Sequence, residues 1–270
     1  MRKGRGLRTY TIFYLIFLYA PIVLLPLFAF NDSKIIAFPL KGFTTDWFVA
    51  LWHKTELHQA VLKSLIIAVT TAVFATALGV FAARAGTKYR FRGKGPVLGF
   101  IMLPLVLPDI IVAVSLLVVL LRIGMGLGMT AAILGHVVIC LPFAIAILNS
   151  AFSSLDQSLE EAAYDLGETP FSAFRLVILP LVMPGIISSL LITFTISLDE
   201  YIIASFLVGT EETLPVYLFN QMTKNSREIP VVLALGTVLV LFSILLLGIA
   251  EYFRRRGIAR TGGKDTGGFL

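Results

Sequence analysis

The chain has 270 residues, of which 57% are hydrophobic and only 14% are charged, and its mean hydropathy is +0.91. Long apolar runs that are interrupted at short intervals exclude an ordinary soluble globular protein and are typical of a polytopic membrane protein. The net charge is +6, and a lone cysteine, Cys140, excludes a disulfide framework.

Six apolar runs are long enough to cross a membrane. A span needs roughly 20 apolar residues to cross about 30 Å of hydrocarbon. Because lipid offers no partners to backbone polar groups, each run must be a helix. We therefore predict an all-α membrane protein with six transmembrane helices in a single domain over residues 1–270. The predicted spans are Thr9–Phe30, Gln59–Ala83, Pro96–Leu121, Thr130–Ser150, Leu179–Val208 and Pro230–Phe253.

The basic residues are distributed unevenly between the segments that separate these spans. If the N-terminus lies inside, the inner segments carry 15 of the 22 Lys and Arg residues. Such an excess follows the positive-inside rule and predicts that both termini are cytoplasmic. The positive charge is thus explained by topology, and we expect no nucleic-acid partner.

The segment between the first two predicted spans contains tryptophans. Thr44, Asp46, Trp47 and Trp52 indicate a short amphipathic helix at the outer membrane interface. Tryptophan favours the headgroup region whether or not it has a further role.

Three acidic residues lie inside predicted spans, where an ionisable group is costly and indicates function. Asp109 lies about 18 Å into the third span at 1.5 Å per residue, where Pro104 and Pro108 interrupt the helix. Asp199 and Glu200 lie nearer the outer end of the fifth span. The structural alternatives are a helix cap for Asp109 and an interfacial pair for the other two.

The histidines and the cysteine give no metal site, because three scattered histidines and one cysteine do not form a ligand cluster. His136 in the fourth span is interpreted as a structural residue that is bonded to a neighbouring carbonyl.

The longest inner segment, residues 151–178, includes "EEAAYDLGETP", in which four of eleven residues are acidic. Apolar residues at helical spacing, including Leu159 and Leu166, predict a helix with an apolar stripe, and the acidic side chains, including Glu160, are expected on its surface. Gly167 is expected to end this helix, and Thr169 to begin a second one. Docking to a cytoplasmic protein and a solvated loop without a partner both remain open.

The stretch "EAAYDLGETPFSAFRLVILPLVMPGI", residues 161–186, resembles the EAA loop of ABC importer permeases. The resemblance implies the MetI-like ABC importer permease fold and a coupling helix that docks on a cytoplasmic ATPase dimer. It also implies that ATP and Mg²⁺ are bound by that partner, so this chain has no cofactor and is not itself an enzyme. The implied coupling residues are Glu161, Ala162, Ala163, Asp165 and Gly167.

Four further stretches resemble the permeases of spermidine/putrescine importers: "GFTTDWF", "YRFRGK", "LPDIIVAVSLLVVL" and "FTISLDEYIIASFLVG". Glu200 stands where that pattern usually has an aspartate. The resemblance implies a bacterial inner-membrane location, a second and different permease chain, and an external binding protein. The implied substrate-pathway residues are Trp47, Asp109, Ser197, Asp199 and Glu200.

Two other functions remain as alternatives. One is an ABC permease for another small solute, such as an amino-acid derivative or a metal-chelate. The other is an ion-driven secondary transporter, in which the EAA loop would have no purpose. An intramembrane hydrolase is excluded because the sequence has neither a His-Glu-x-x-His motif nor a Gly-x-Ser-x-Gly elbow.

Overall fold

The computed structural model describes residues 3–156, 158–224 and 228–261, and their backbone is almost entirely helical. The β pairing within these ranges is an isolated bridge between Asn31 and Phe43. The predicted all-α class is confirmed. The helices are α1 (Lys3–Ala29), α2 (Asp46–Trp52), α3 (Thr55–Lys88), α4 (Lys94–Met102), α5 (Asp109–Arg122), α6 (Met129–Ser153), α7 (Ser158–Asp165), α8 (Pro170–Ala173), α9 (Leu179–Asp199), α10 (Ile202–Leu207), α11 (Leu214–Lys224) and α12 (Ile229–Thr261).

The chain divides into two compact units. The first consists of the described residues of Met1–Gln59 and Tyr217–Ile244, and the second of those of Ala60–Val216 and Leu245–Leu270. Every contact discussed below lies within one of these units.

Several helices in the described part of the chain are long and apolar enough to cross a membrane. Four single helices have the required length and hydropathy, and the number is five if the bent pair of α4 and α5 is counted as one span. The sixth predicted span corresponds to α12, whose apolar part, Ile229–Leu245, is shorter. The chain is thus a multi-pass membrane protein. The four single helices are Leu7–Ala29, Thr55–Lys88, Met129–Ser153 and Pro170–Asp199.

The third predicted span, Pro96–Leu121, is not one straight helix. α4 continues as a 3₁₀ turn to Leu105, and α5 then leaves at an angle of 108°. Pro108 is extended, with ψ 134°, and as a proline it lacks the N–H that a helix interior needs. Asp109 is therefore the first residue of α5, and the predicted interruption of the helix at the prolines is confirmed. The distance of about 18 Å into the span no longer follows, because it assumes the rise per residue of one straight helix.

The fifth predicted span also ends earlier than expected. α9 stops at Asp199, Glu200 is extended with φ −72° and ψ 122°, and the chain restarts as α10. The prediction of one helix to Val208 is wrong. Hydropathy averages over many residues, so it does not detect the break that the Glu200 side chain caps.

Helix α6 is the centre of the second unit, and α9 and α10 both pack on it. Two glycines allow this close approach. A Cβ built on Gly135 would lie 2.5 Å from Leu207 and 2.6 Å from Ile203 of α10. A Cβ on Gly185 of α9 would lie 2.5 Å from the Cβ of Ala151. The small residues therefore hold α9 and α10 close to α6. Because Glu200 lies between α9 and α10, its position relative to α6 is fixed as well.

Candidate functional site

The EAA segment folds as two short helices, as predicted. α7 ends at Asp165, and Gly167 takes the left-handed conformation with φ +88°. The amides of Gly167 and Glu168 donate to the carbonyls of Tyr164 (2.9 Å) and Ala163 (3.0 Å), which is the bonding of a Schellman cap. The hydroxyl of Thr169 accepts from the amide of Ser172 and caps α8. A π-helical turn, Phe174–Ile178, then leads into α9.

Glu160 anchors α7 to the last turn of α3. Its carboxylate accepts hydrogen bonds at 2.5 Å from Arg84, from Lys88 and from the Tyr164 hydroxyl, and the residue is only 9% exposed. The prediction that Glu160 lies on the surface is wrong. The helical period of α7 carries no information about cations that lie more than 70 residues earlier in the chain.

The ionisation of Glu160 depends on these contacts. Burial raises the pKa of its carboxyl, but hydrogen bonds from Arg84, Lys88 and Tyr164 outweigh that effect and lower the pKa to about 2. The carboxylate is therefore charged at neutral pH and is fully compensated by protein groups.

The opposite face of α7 is open. Of the coupling residues that the resemblance implies, Glu161, Ala162, Asp165 and Gly167 are exposed, whereas Ala163 is buried. Leu166, a member of the predicted apolar stripe, lies just past the end of α7 and is 86% exposed.

A second polar cluster lies at the break between α9 and α10. It consists of Glu200, His136 and Ser197, and we call it the Glu200 junction. The Glu200 carboxylate accepts from the backbone amides of Ile203 and Ala204, both at 2.9 Å, and so caps α10. These amides also explain why the chain breaks at Glu200.

His136 of α6 completes the Glu200 junction and is 1% exposed. Its Nδ1 lies 2.7 Å from the Ser197 hydroxyl, and its Nε2 lies 3.5 Å from a Glu200 carboxylate oxygen. The expected bond to a backbone carbonyl is therefore replaced by a side-chain contact. Ser197, a predicted pathway residue, is buried together with His136 at this contact.

The two aspartates are more exposed than Glu200. Asp109 and Asp199 both lie on the surface of the chain, and Asp109 begins α5, which packs against α10. The structure thus brings Asp109, Ser197, Asp199 and Glu200 together around the breaks before α5 and after α9. Trp47 belongs to the first unit, where its indole N–H donates to the carbonyl of Asn31 at 2.9 Å.

Some important residues were not found from the sequence. Arg84, Lys88 and Tyr164 did not stand out as partners of Glu160, because basic residues after a span are ordinary topology signals. Within the described ranges, no group of three or more His, Cys, Asp or Glu side chains has an arrangement that could hold a metal ion.

Comparison with known proteins gives the class of this chain. Residues 75–258 match the family described as "Binding-protein-dependent transport system inner membrane component", and the chain belongs to this family. It is the permease subunit of a binding-protein-dependent ABC importer, a system in which the ATPase is a separate chain. An ion-driven secondary transporter is no longer an alternative.

Two relatives in particular resemble it. The chain is 36% identical over 248 residues to the spermidine/putrescine transport system permease protein PotC of Shigella flexneri, covering 92% of this chain and 93% of that protein. It is also 36% identical over 245 residues to the putrescine transport system permease protein PotI of Escherichia coli strain K12, covering 88% and 86%.

A solved structure shares the fold. It is a bacterial ABC transporter involved in the import of the acidic polysaccharide alginate, with a TM-score of 0.75 and 18% identity, covering 93% of this chain and 98% of that one. At this identity the likeness concerns the fold alone.

Proposed function

We propose that this permease imports polyamines such as spermidine and putrescine. The observation that carries the proposal is the charge of the Glu200 junction. Among the described residues, no Lys or Arg forms an ion pair with Asp109, Asp199 or Glu200. Three carboxylates that share one region without a protein countercharge favour a cationic ligand.

The local backbone supports the same substrate class. Amides at the start of a helix carry only a partial positive charge, so the Glu200 cap offsets part of its negative charge and leaves the rest for a ligand. Broken helices line many substrate pathways in transporters, and both breaks here bear acids. A polyamine supplies separated ammonium groups for such acids and methylene segments for the apolar surface between them.

The two relatives add support, since their names assign them to spermidine/putrescine and putrescine transport. The fold does not decide the substrate, because the structural neighbour serves an acidic polysaccharide. Trp47 and Ser197 are included in the proposed pathway by resemblance, with Ser197 acting through His136 and Glu200.

The proposed topology has six spans, with both termini in the cytoplasm of a bacterial cell and the chain in its inner membrane. The bent pair of α4 and α5 counts as one span, and α12 as the sixth. The excess of Lys and Arg in the segments that this topology places inside supports it.

The proposed coupling surface is the exposed face of α7 with the turn that follows it. Glu161, Ala162, Asp165 and Gly167 contact the cytoplasmic ATPase dimer, and Ala163 packs inward so that α7 approaches the body of the permease. ATP and Mg²⁺ bind to that dimer, and this chain carries no cofactor.

The remaining partners are a second permease of different sequence and an external binding protein. The binding protein delivers substrate to the outer face of the permease pair. ATP closes the ATPase dimer, α7 moves with it and the pathway opens outward. Hydrolysis then returns the pathway to the inward state.

The test is ATP-dependent uptake of labelled spermidine by the complete reconstituted transporter, with wild type compared with Asp109→Asn. Asp32→Asn, an exposed aspartate outside the junction, is the matched control. We expect uptake by wild type and by the control, and loss of uptake in Asp109→Asn, which should still assemble.

The negative result is equally informative. An assembled wild-type transporter that hydrolyses ATP without taking up spermidine or putrescine would contradict the polyamine proposal. The substrate would then be another small solute, such as an amino-acid derivative or a metal-chelate.

A further inference from the structure

Several side-chain hydrogen bonds join α7 to the end of α3. The Glu160 carboxylate bonds both Arg84 and Lys88, which are four residues apart and hence one turn apart on α3. Tyr164, one turn further along α7, donates to the same carboxylate and accepts from Lys88 at 3.0 Å. We call these four residues the Glu160 clamp.

An open pocket adjoins the clamp. It has a volume of about 760 Å³ and is lined by residues that include Arg84 and Lys88 of α3, Phe152 of α6 and Glu160 of α7. The polar groups of the clamp form part of the wall of this pocket. The Arg84 guanidinium also lies 5.9 Å from the centre of the Phe152 ring, which extends the contact to α6.

The geometry allows little independent motion of the two helices at this point. One exposed ion pair tolerates swivelling and contributes little. Here a largely buried carboxylate is held at two points along α3 and by a hydroxyl on its own helix, and charge-assisted bonds of this kind are strong and directional. A displacement of α7 must therefore move the end of α3 or break several bonds together.

We propose that Glu160 is a positioning residue whose clamp transmits the movement of α7 to α3 during transport. The proposal rests on the proposed docking of α7 to the ATPase and adds the route by which the permease body responds. Glu161, its exposed neighbour, faces the partner, whereas Glu160 faces the permease.

Hydrogen–deuterium exchange of the complete transporter, with and without ATP and vanadate, tests this route without reference to the substrate. In wild type we expect ATP-dependent exchange changes in peptides from both α7 and the end of α3. In Glu160→Gln we expect the change at α7 to persist and that at α3 to fall about tenfold. Glu56→Gln, an exposed acid at the start of α3, is the control and should behave as wild type.

Two further variants keep the test decisive if Glu160→Gln assembles poorly. Glu160→Asp retains the charge and should restore the response at α3. Lys88→Gln removes one cation and should weaken the response less than the loss of the carboxylate does. A merely structural role would lower the amount of assembled transporter without separating the α7 response from the α3 response.

The contradicting outcomes differ for the two proposals. An α3 response in Glu160→Gln equal to that of wild type would overturn the clamp and leave the docking of α7 intact. If wild type shows no ATP-dependent change at α7, the proposed coupling fails, and the clamp fails with it.

Discussion

Two glutamates of the second unit are both largely shielded from solvent but are compensated in different ways. Glu160 is held by Arg84 and Lys88, so its charge is neutralised by full positive charges. Glu200 is held by the amides of Ile203 and Ala204, whose combined charge is only partial. Glu160 therefore has no charge left for a ligand, whereas Glu200 keeps part of its charge.

We propose that this difference separates two tasks of the permease, which are coupling to the ATPase and binding of the substrate. A carboxylate with its countercharge inside the protein fixes one element against another. A carboxylate capped by backbone dipoles breaks a helix and keeps an affinity for cations. The positions agree with this proposal, since Glu160 lies in α7, which carries the proposed coupling surface, and Glu200 lies between α9 and α10.

Glu200→Ala should have the largest effect, because it removes both the cap of α10 and the charge of the junction. Loss of a helix cap alone costs about 1 kcal/mol, and loss of the carboxylate should lower spermidine uptake at least about tenfold. Uptake by reconstituted transporter measures this, with Asp32→Asn as the control. Uptake near the wild-type rate would contradict the comparison, since the charge of Glu200 would then not be needed for transport.

Gly135→Ala should disturb the Glu200 junction without changing any charged group. The added Cβ would meet Leu207 and Ile203 of α10, and such overpacking costs about 1–3 kcal/mol. We expect a lower unfolding temperature in detergent. Gly99→Ala is the matched control, because no atom lies within 4 Å of its Cβ position. Equal stability of both variants would show that the contact of α10 with α6 is looser than described.

Gly167→Ala should affect the coupling surface alone. The left-handed backbone, with φ +88°, costs an alanine about 1–2 kcal/mol, so the turn after α7 should shift. Retention of the ATPase on the purified permease should weaken about fivefold or more, as measured by co-purification at graded ATPase concentration. Gly126→Ala, which has open space and no positive φ, should retain the ATPase as wild type does.

The pH dependence of the clamp should be the smallest effect and sharpens the contrast with Glu200. The pKa of Glu160 is lowered to about 2, so its stabilising contribution is fully present above its ordinary value of 4.5 and is lost as the pH falls toward 2. The difference in unfolding temperature between wild type and Glu160→Gln should therefore be larger at pH 7 than at pH 3. A difference that stays constant would show that Glu160 acts through packing rather than charge.

Much of the architecture could be predicted from the sequence because hydropathy and local rules decide it. Apolar runs predicted the helices, and Gly167 and Thr169 predicted the turn between α7 and α8. The resemblance of residues 161–186 predicted the family, which the comparisons confirm.

The remaining features depend on geometry that hydropathy does not carry and on contacts between distant segments. The 108° bend before Asp109 was predicted only as an interruption, because prolines mark a break without setting its angle. The end of α9 was missed because hydropathy averages over Glu200. Glu160 was placed on the surface because its partners, Arg84 and Lys88, belong to another helix. Only the last of these misses is a case in which tertiary contacts override local periodicity, since the cap made by Glu200 and the proline break are local.

The most direct test of the contrast is the spermidine concentration dependence of ATP-driven uptake in Glu200→Gln and Glu160→Gln. Glutamine keeps an oxygen that can cap α10 and removes the charge. We predict a raised KM for Glu200→Gln, and a lowered maximal rate with an unchanged KM for Glu160→Gln. The reverse pattern, with the KM sensitive to Glu160 and insensitive to Glu200, would contradict the division of tasks between the two carboxylates.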